Sequence, residues 1–388
     1  MNRDIKNSQV VGIDLGTTNT VLGFLEDTGK PKIIPNLDGD MLTPSAVYVG
    51  SGAKEILVGT AAKHMTVLEP KRTFKEIKRD VGTNTIYLRE NGTDITPEWC
   101  QAEILKFMRQ SCIKYFGDDR AASQMVVTVP AYFGEKERQS VVRSINLAGA
   151  EVIQLINEPT AAGLAHGISE KQGDRLVLVT DFGGGTFDAS LIMYAGGQIT
   201  VLASDGDKLG GGDVDELLID LARDAFKKEH ALEVTATSHP ADHWQLWEEV
   251  IRQKHMLAAR TDVKITSRIE GKQVVIPVNR QLLTTLTKPL MERIEKIIHQ
   301  TIESGKVNVA EISQVLLIGG SSRLVPFQEL VGRLFGKERI AGGQVSPDLA
   351  VAEGAVIHAV KAATAKGRIL VNETLHAIPA PSRAEGER

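Results

Sequence analysis

VVGIDLGTTNTVL (Val10–Leu22) has a partner later in the chain, LVTDFGGGTFDASL (Leu178–Leu191). Both read as a strand, an Asp-x-Gly turn and a second strand. Apolar residues run up to Asp14 and Asp181, glycines admit backbone angles that other residues resist, and strand formers such as Val21 and Leu191 follow. The two aspartates stand a whole domain's length apart, too far for a solenoid repeat. Two related lobes, each opening on a tight hairpin, are the expected architecture of an α/β protein.

The residues at these turns suit one chemistry. Phosphate groups need several backbone N–H donors and little side-chain bulk, and Mg²⁺ needs carboxylates a water's width from phosphate oxygens. Gly16, Thr17 and Thr18 offer this beside Asp14, and Gly183, Gly184, Gly185 and Thr186 offer it between Asp181 and Asp188. A single Asp-Gly turn reads equally well as plain structure; two related copies favour a nucleotide cleft. Neither GxxxxGK[ST] nor a GxGxxG opening a helix after a strand is present.

Composition excludes other classes. The 388 residues, 42% of them hydrophobic, supply ample core, and 49 acidic against 45 basic residues leave no field favouring nucleic acid or an anionic membrane surface. No apolar run approaches the roughly 20 residues of a membrane span, and the polar opening lacks a secretory apolar region, so the expected location is cytoplasmic. Cys100 and Cys112 fall on one helix-patterned stretch, Glu98 to Phe116, about 18 Å apart and beyond disulfide reach, and read as buried thiols. His239 and His243 have no third ligand nearby for zinc.

Along the chain, an extended, turn-rich region from about Leu37 to Glu98 precedes that helix. A strand at Met125–Pro130 and a helix from about Lys136 to Ala148 follow, with Gly149 suited to the C′ position. Past the second hairpin come a helix from Val214 to about Lys228, a polar segment from Glu233 to Pro277, a helix from Leu286 to Ile302, a buried strand at Val315–Ile318 and a helix from about Pro347 to Ala365. The expected division is lobe I at 1–171 with an insertion at about 38–98, and lobe II at 172–365 with an insertion at about 229–285. Its closing helix, 347–365, returns to lobe I, and 366–388 is a polar linker and disordered tail.

GIDLGTTN (Gly12–Asn19), TVPAYF (Thr128–Phe133), INEPTAA (Ile156–Ala162), DFGGGTFD (Asp181–Asp188) and GGSSR (Gly319–Arg323) occur in one order. With them the chain, from about Val10 to Ala365, resembles the nucleotide-binding domain of the DnaK-type 70-kDa heat-shock chaperones. That family belongs with actin and the sugar kinases. The resemblance implies an actin-like ATPase fold, two lobes with RNase H-like cores and the nucleotide in the cleft between them. It implies ATP or ADP with Mg²⁺, with room for K⁺ beside them, and slow hydrolysis. Asp14 and Asp181 would hold Mg²⁺ through water. Gly16, Thr17, Thr18, Gly183, Gly184 and Gly185 would cradle phosphates, and Lys78, Glu158, Asp188 and Thr186 would surround the attacking water. Taken alone, Lys78 reads as an ordinary solvated lysine. Gly211 and Gly212, in a loop with Asp213, would lie near the nucleotide. Lys254, His255, Gly319, Gly320, Ser321 and Arg323 would form its adenosine side.

The chain also departs from the family. His255 and Ala258 stand where the family has Arg and Ser; imidazole lacks guanidinium breadth and Ala258 cannot hydrogen-bond a base, so weaker and less adenine-selective binding is expected. Pro130 and Arg138, switch residues by resemblance, are kept, but Gln154 replaces a basic residue that meets J-domain co-chaperones. RILVNE (Arg368–Glu373) stands at the linker, with Arg368 for Asp and Asn372 for Leu. Because only a short tail follows, direct client-peptide binding is not expected of this chain, whereas a co-chaperone or nucleotide-exchange partner is. The competing readings are a nucleotide-gated interaction module without catalysis, and a filament former or sugar kinase.

Overall fold

The computed structural model describes residues 10–167, 173–196, 198–341 and 345–364. The expected linker and tail at 366–388, including Arg368 and Asn372, lie outside the described residues. β1 (Val10–Leu15) and β2 (Asn19–Leu25) form the first hairpin, with Asp14 opposite Val21. β3 (Pro31–Ile33) and β4 (Thr43–Pro44) both pair antiparallel with β2. An insertion follows: β5 (Val47–Val49), β6 (Ile56–Val58) and β7 (Thr73–Phe74) form a small sheet, and β8 (Leu88–Glu90) pairs with β9 (Thr93–Ile95). Helix Pro97–Phe116, capped by Thr96 accepting the Trp99 N–H, leads to β10 (Gln124–Val129), parallel to β1. After helix Glu135–Leu147, β11 (Glu151–Asn157) runs parallel to β10 and ends at helix Glu158–Ala165.

The second half repeats the pattern. β12 (Arg175–Phe182), β13 (Phe187–Ala195) and β14 (Gln198–Asp207) form an antiparallel meander. Helices Gly211–His230 and Pro240–Leu257, the hairpin of β15 (Asp262–Ile269) and β16 (Lys272–Asn279), and helix Arg280–Ser304 intervene before β17 (Ile312–Ile318) pairs parallel with β12. One sheet therefore contains β3-β2-β1-β10 and the other β14-β13-β12-β17, in the same order and the same strand senses. The sequence echo is a duplicated sheet. Where the first sheet adds β11, the second has, among the described residues, a parallel bridge from Val315 to Ile340.

Each sheet has its own core: Ile13, Leu22, Met108 and Val127 in one, Leu178, Phe187, Leu191 and Ile298 in the other. A third cluster lies between the sheets, where helices Glu158–Ala165 and Ala350–Thr364 pack with Val126, Ile156, Val179 and Leu316. The closing helix comes so near its neighbours that a Cβ on Gly354 would sit 1.8 Å from the Ala161 carbonyl oxygen, and one on Gly12 would sit 2.3 Å from Val356 N. Backbone rests on backbone there, and only glycine fits. Cys100 and Cys112 are free and buried on helix Pro97–Phe116, and burial pushes the Cys112 thiol up to about 12. Gly149, at φ +74°, follows Ala148 at the end of its helix. No helix among the described residues is long and apolar enough to cross a membrane.

Several boundaries differ from expectation. The turn-rich region contains helix Thr60–Leu68. Gly211 and Gly212, read as loop, are the first turn of a helix, because Asp213 Oδ2 accepts the Gly210 N–H at 2.7 Å and closes that turn. The helix expected from Leu286 starts at Arg280, where Asn279 Oδ1 caps it by accepting the Leu282 N–H at 2.8 Å. The polar segment holds helix Pro240–Leu257, with Pro at its N-terminus where the missing N–H is tolerated. The strand expected at Val315 begins at Ile312, and the closing helix starts at Ala350 rather than Pro347.

Candidate functional site

Three strand ends converge between the sheets. β1 delivers Asp14, and β12 and β13 deliver Asp181 and Asp188 directly opposite each other in register. The parallel pairing of β10 with β1 brings up Thr128, whose Oγ1 donates to Asp14 Oδ1 at 2.9 Å. The first turn is held from below by Ser45, whose Oγ donates to the Gly16 carbonyl at 2.8 Å. The second is held by its own backbone, Gly183 N–H to Thr186 O at 3.0 Å. It is also held by the start of the next helix, where Gly211 N–H donates to Gly183 O at 3.0 Å and Gly212 N–H to Gly184 O at 2.8 Å. The two turns touch, since a Cβ on Gly184 would lie 2.6 Å from Thr18 Oγ1.

Lys78, on the 3₁₀ turn Ile77–Asp80 of the insertion, reaches into this convergence and forms a largely buried ion pair with Glu158, the first residue of its helix. Burial works against the ammonium, but Glu158 and Asp14 outweigh it and hold Lys78 above the usual lysine value. The carboxylates go the other way. Burial carries Asp14 up to about 6, with Glu158 adding to the rise and Lys78 and the Thr128 hydroxyl opposing it. Burial and Glu158 push Asp188 up to about 8, and burial, Glu158, Asp188 and Asp14 together raise Asp181 well above the carboxylate range. Four acids crowd one lysine, a charge balance that a hard cation would relieve. Among the described residues no three His, Cys, Asp or Glu side chains are close enough to ligate one ion directly. The arrangement fits an ion that keeps its waters, as Mg²⁺ does.

The cleft continues toward the second insertion. Lys254 is buried against Asp215, Nζ to Oδ1 2.7 Å, and donates to the Gly211 carbonyl at 2.9 Å. Buried Ser321 lies beside Gly211, where a Cβ would sit 2.4 Å from Ser321 Oγ. Gly319, at φ +79°, passes so close to the carboxylates that its Cβ would meet Asp181 Oδ1 at 2.7 Å; one on Gly320 would meet Asp348 Oδ1 at 2.6 Å. Arg323 pairs with Asp348, and its Nη2 lies 3.3 Å from Ser346 Oγ. His255 lies in the last turn of helix Pro240–Leu257, and desolvation and the Lys254 charge hold its imidazole below the ordinary value.

The residues named from the sequence thus gather in one cleft, with Lys78, Glu158 and the three aspartates at one end and Lys254, Ser321 and Arg323 toward the other. Sequence reading missed Thr128, Arg79, Asp215 and Asp348. Thr128 had a signal, since it lies near a strand end within TVPAYF; Asp215 had none beyond its place on an amphipathic helix. Around the cleft, Arg138 donates from Nη2 to Asn157 Oδ1 at 2.7 Å and from Nε to the Phe133 carbonyl at 2.9 Å. It thereby ties the strand-end loop after Pro130 to the residue preceding Glu158. Gln154 Oε1 lies 2.9 Å from His358 Nε2 on the closing helix.

A family model described as Hsp70 protein matches residues 10–375. The chain is 37% identical over 376 residues to the chaperone protein DnaK of Thermotoga neapolitana, covering 94% of this chain and 62% of the relative. It is 36% identical over 367 residues to that of Thermosipho africanus, covering 93% and 60%. It therefore spans about three-fifths of the length of these curated relatives, over their nucleotide-binding region. With its duplicated sheets and shared cleft it has the actin-like ATPase fold, and the chain belongs to the Hsp70 family.

Proposed function

We propose that the chain binds ATP with Mg²⁺ between its two sheets and hydrolyses it slowly, and that partner proteins read the resulting opening and closing of the lobes. The observation that carries this reading is the meeting of two equivalent Asp-Gly turns around the Lys78–Glu158 pair. The reading includes the lobe division at 1–171 and 172–365.

In this reading the turns at Gly16–Thr18 and Gly183–Thr186 wrap the phosphates with backbone N–H groups and hydroxyls, and their glycines let the chain approach closely. Asp14 and Asp181 would hold Mg²⁺ through its waters, and the ion would supply charge neutralisation. Lys78 directs its ammonium at the terminal phosphoryl group and the attacking water, while Glu158 keeps that ammonium in place. Asp188 would take the water's proton in its ionised form, which bound Mg²⁺ would favour against the rise that burial and Glu158 impose. Thr186 steadies Asp188 by donating to it. Most of the work is positioning and charge stabilisation, as phosphoryl transfer requires.

Lys254, Ser321, Gly319, Gly320 and Arg323 form the adenosine side. His255 and Ala258 supply neither a guanidinium nor a hydroxyl there, and titration of ATP against GTP by calorimetry should show only modest adenine selectivity. The closing helix, packed against both sheets, is the element through which lobe motion reaches partners. Calorimetry with Mg·ATP and single-turnover hydrolysis test the whole. Binding with slow turnover is expected; binding without turnover leaves a nucleotide-gated module, and no binding overturns the reading.

A further inference from the structure

Arg79 is a cation beside the second turn that keeps a buried donor unused. It comes from the first insertion, next to Lys78, and crosses to the second hairpin, where its Nη2 donates to the Gly185 carbonyl. Its Nη1 lies 2.5 Å from Glu76 Oε2, and its buried Nε has no hydrogen-bond partner. Gly185 permits this contact, since a Cβ there would sit 2.9 Å from Arg79 Nη2 and 3.2 Å from Glu76 Oε1. The backbone is bent to deliver it, with Glu76 in the left-handed region at φ +54°. Lys78, in contrast, pairs with Glu158 rather than with the second turn.

A guanidinium offers a rigid fork of donors matched to two phosphoryl oxygens, and a bond to an anionic oxygen is about twice as strong as one to a neutral carbonyl. Gly185 lies in the turn assigned above to the phosphates, so a terminal phosphoryl group arriving there competes directly for Arg79. We propose that Arg79 discriminates nucleoside triphosphate from diphosphate. With no terminal phosphate in the cleft it ties the first insertion to the Gly185 carbonyl, and with one present it turns its Nε and Nη2 donors onto that group and releases the loop. The inference rests on the proposed Mg·ATP reading and adds a residue and a selectivity to it.

The test is calorimetric titration of the full chain, wild type, Arg79→Ala and Arg79→Lys, with Mg·ADP and with the non-hydrolysable β,γ-imido analogue of Mg·ATP. Hydrogen exchange of the peptide spanning 181–188 is followed in parallel. Loss of a charge-assisted contact should weaken triphosphate binding at least about tenfold in Arg79→Ala while ADP binding stays within about twofold. Arg79→Lys should recover part of the difference, because lysine keeps the charge without the fork. In wild type, exchange at 181–188 should differ between the two nucleotides, and in Arg79→Ala that difference should shrink to what the phosphate's own contacts with the turn produce. An unchanged triphosphate-to-diphosphate ratio in both variants, with wild type binding both ligands, overturns this inference alone. Wild type binding neither ligand overturns it together with the nucleotide reading. Should Arg79→Ala fail to fold, Arg79→Lys and Glu76→Gln, read by the same ratio, still decide the matter.

Discussion

The two hairpins share a backbone plan and differ in how they handle charge. In the first, Asp14 faces Val21 across the ladder and receives a hydroxyl from Thr128. In the second, Asp181 faces another carboxylate, Asp188, with Glu158 close to both. Like charges directly opposite each other on a sheet are unfavourable, and burial magnifies the cost. Burial raises both, Asp14 to about 6 against Lys78 and the Thr128 hydroxyl, and Asp188 to about 8 with Glu158 adding to the rise. One copy of the motif carries a smaller penalty of burial, whereas the other adds a repulsion between facing carboxylates that a bound cation would relieve.

Lys78 is what the two copies share, since Asp14 and Asp181 both act on its ammonium. Removing it is therefore expected to have the largest effect. Lys78→Ala should lower single-turnover hydrolysis of ATP by at least about 10²-fold, the scale of losing one charge-stabilising group, while ATP affinity changes only a few-fold. Rapid-quench measurement of the first turnover checks this. Turnover within tenfold of wild type would show that the pair with Glu158 is only a structural bridge between the insertion and the helix.

The asymmetry itself can be tested by neutralising each copy in turn. At pH 8, without metal, Asp188→Asn should raise unfolding free energy by on the order of 1–3 kcal/mol through relief of the facing charges. Asp14→Asn should gain about half as much, because Thr128 already offsets part of its cost. Urea unfolding of both variants beside wild type decides it. Equal gains would mean that the two hairpins are electrostatic equals and that the second needs no cation more than the first.

The hairpins were legible because everything that makes them is local. Alternating apolar residues, the aspartate and the glycines lie within 14 residues of one another in each copy. What the sequence left obscure depends on distant chain. Thr128 reaches Asp14 only through the parallel pairing of β10 with β1. Asp215 looks like any acid on an amphipathic helix until Lys254 arrives from another helix and buries it. Lys78 and Arg79 sit in the insertion, where short strands, 3₁₀ turns and helix Thr60–Leu68 carry weak periodic signals. That helix has no side-chain N-cap to announce it. Lys78 was assigned through family resemblance, and Arg79 was not assigned at all. Gly211 and Gly212 were read as loop through the same resemblance, but there Asp213 caps a helix.

A pH series sharpens the comparison without mutation. Asp188 titrates near 3.8 when unconstrained and about 8 in the fold, and Asp14 moves from the same value to about 6. Between these limits the folded chain binds more protons than the unfolded one, so stability is greatest at the acid end of the window and falls as pH rises. With EDTA present, urea unfolding should show roughly 1–2 kcal/mol lost between pH 6 and pH 8, mostly from the second hairpin. Mg·ADP should flatten that slope by favouring the ionised carboxylates. Stability that rises over this interval in EDTA would contradict the raised values.

The smallest expected effect comes from making the first hairpin resemble the second. Thr128→Val keeps the side-chain shape within the fully packed core between β1 and β11 but removes the hydroxyl that Asp14 accepts. One lost hydrogen bond to a carboxylate should cost about 1 kcal/mol above pH 7, where Asp14 is ionised, and less below pH 6, where it is protonated. The signature is thus a difference between two pH values rather than a single loss, which separates it from a packing defect that would be the same at both. If Thr128→Val loses equal stability at pH 5.5 and pH 8, the hydroxyl does not tune Asp14, and the contrast between the hairpins rests on the facing carboxylates alone.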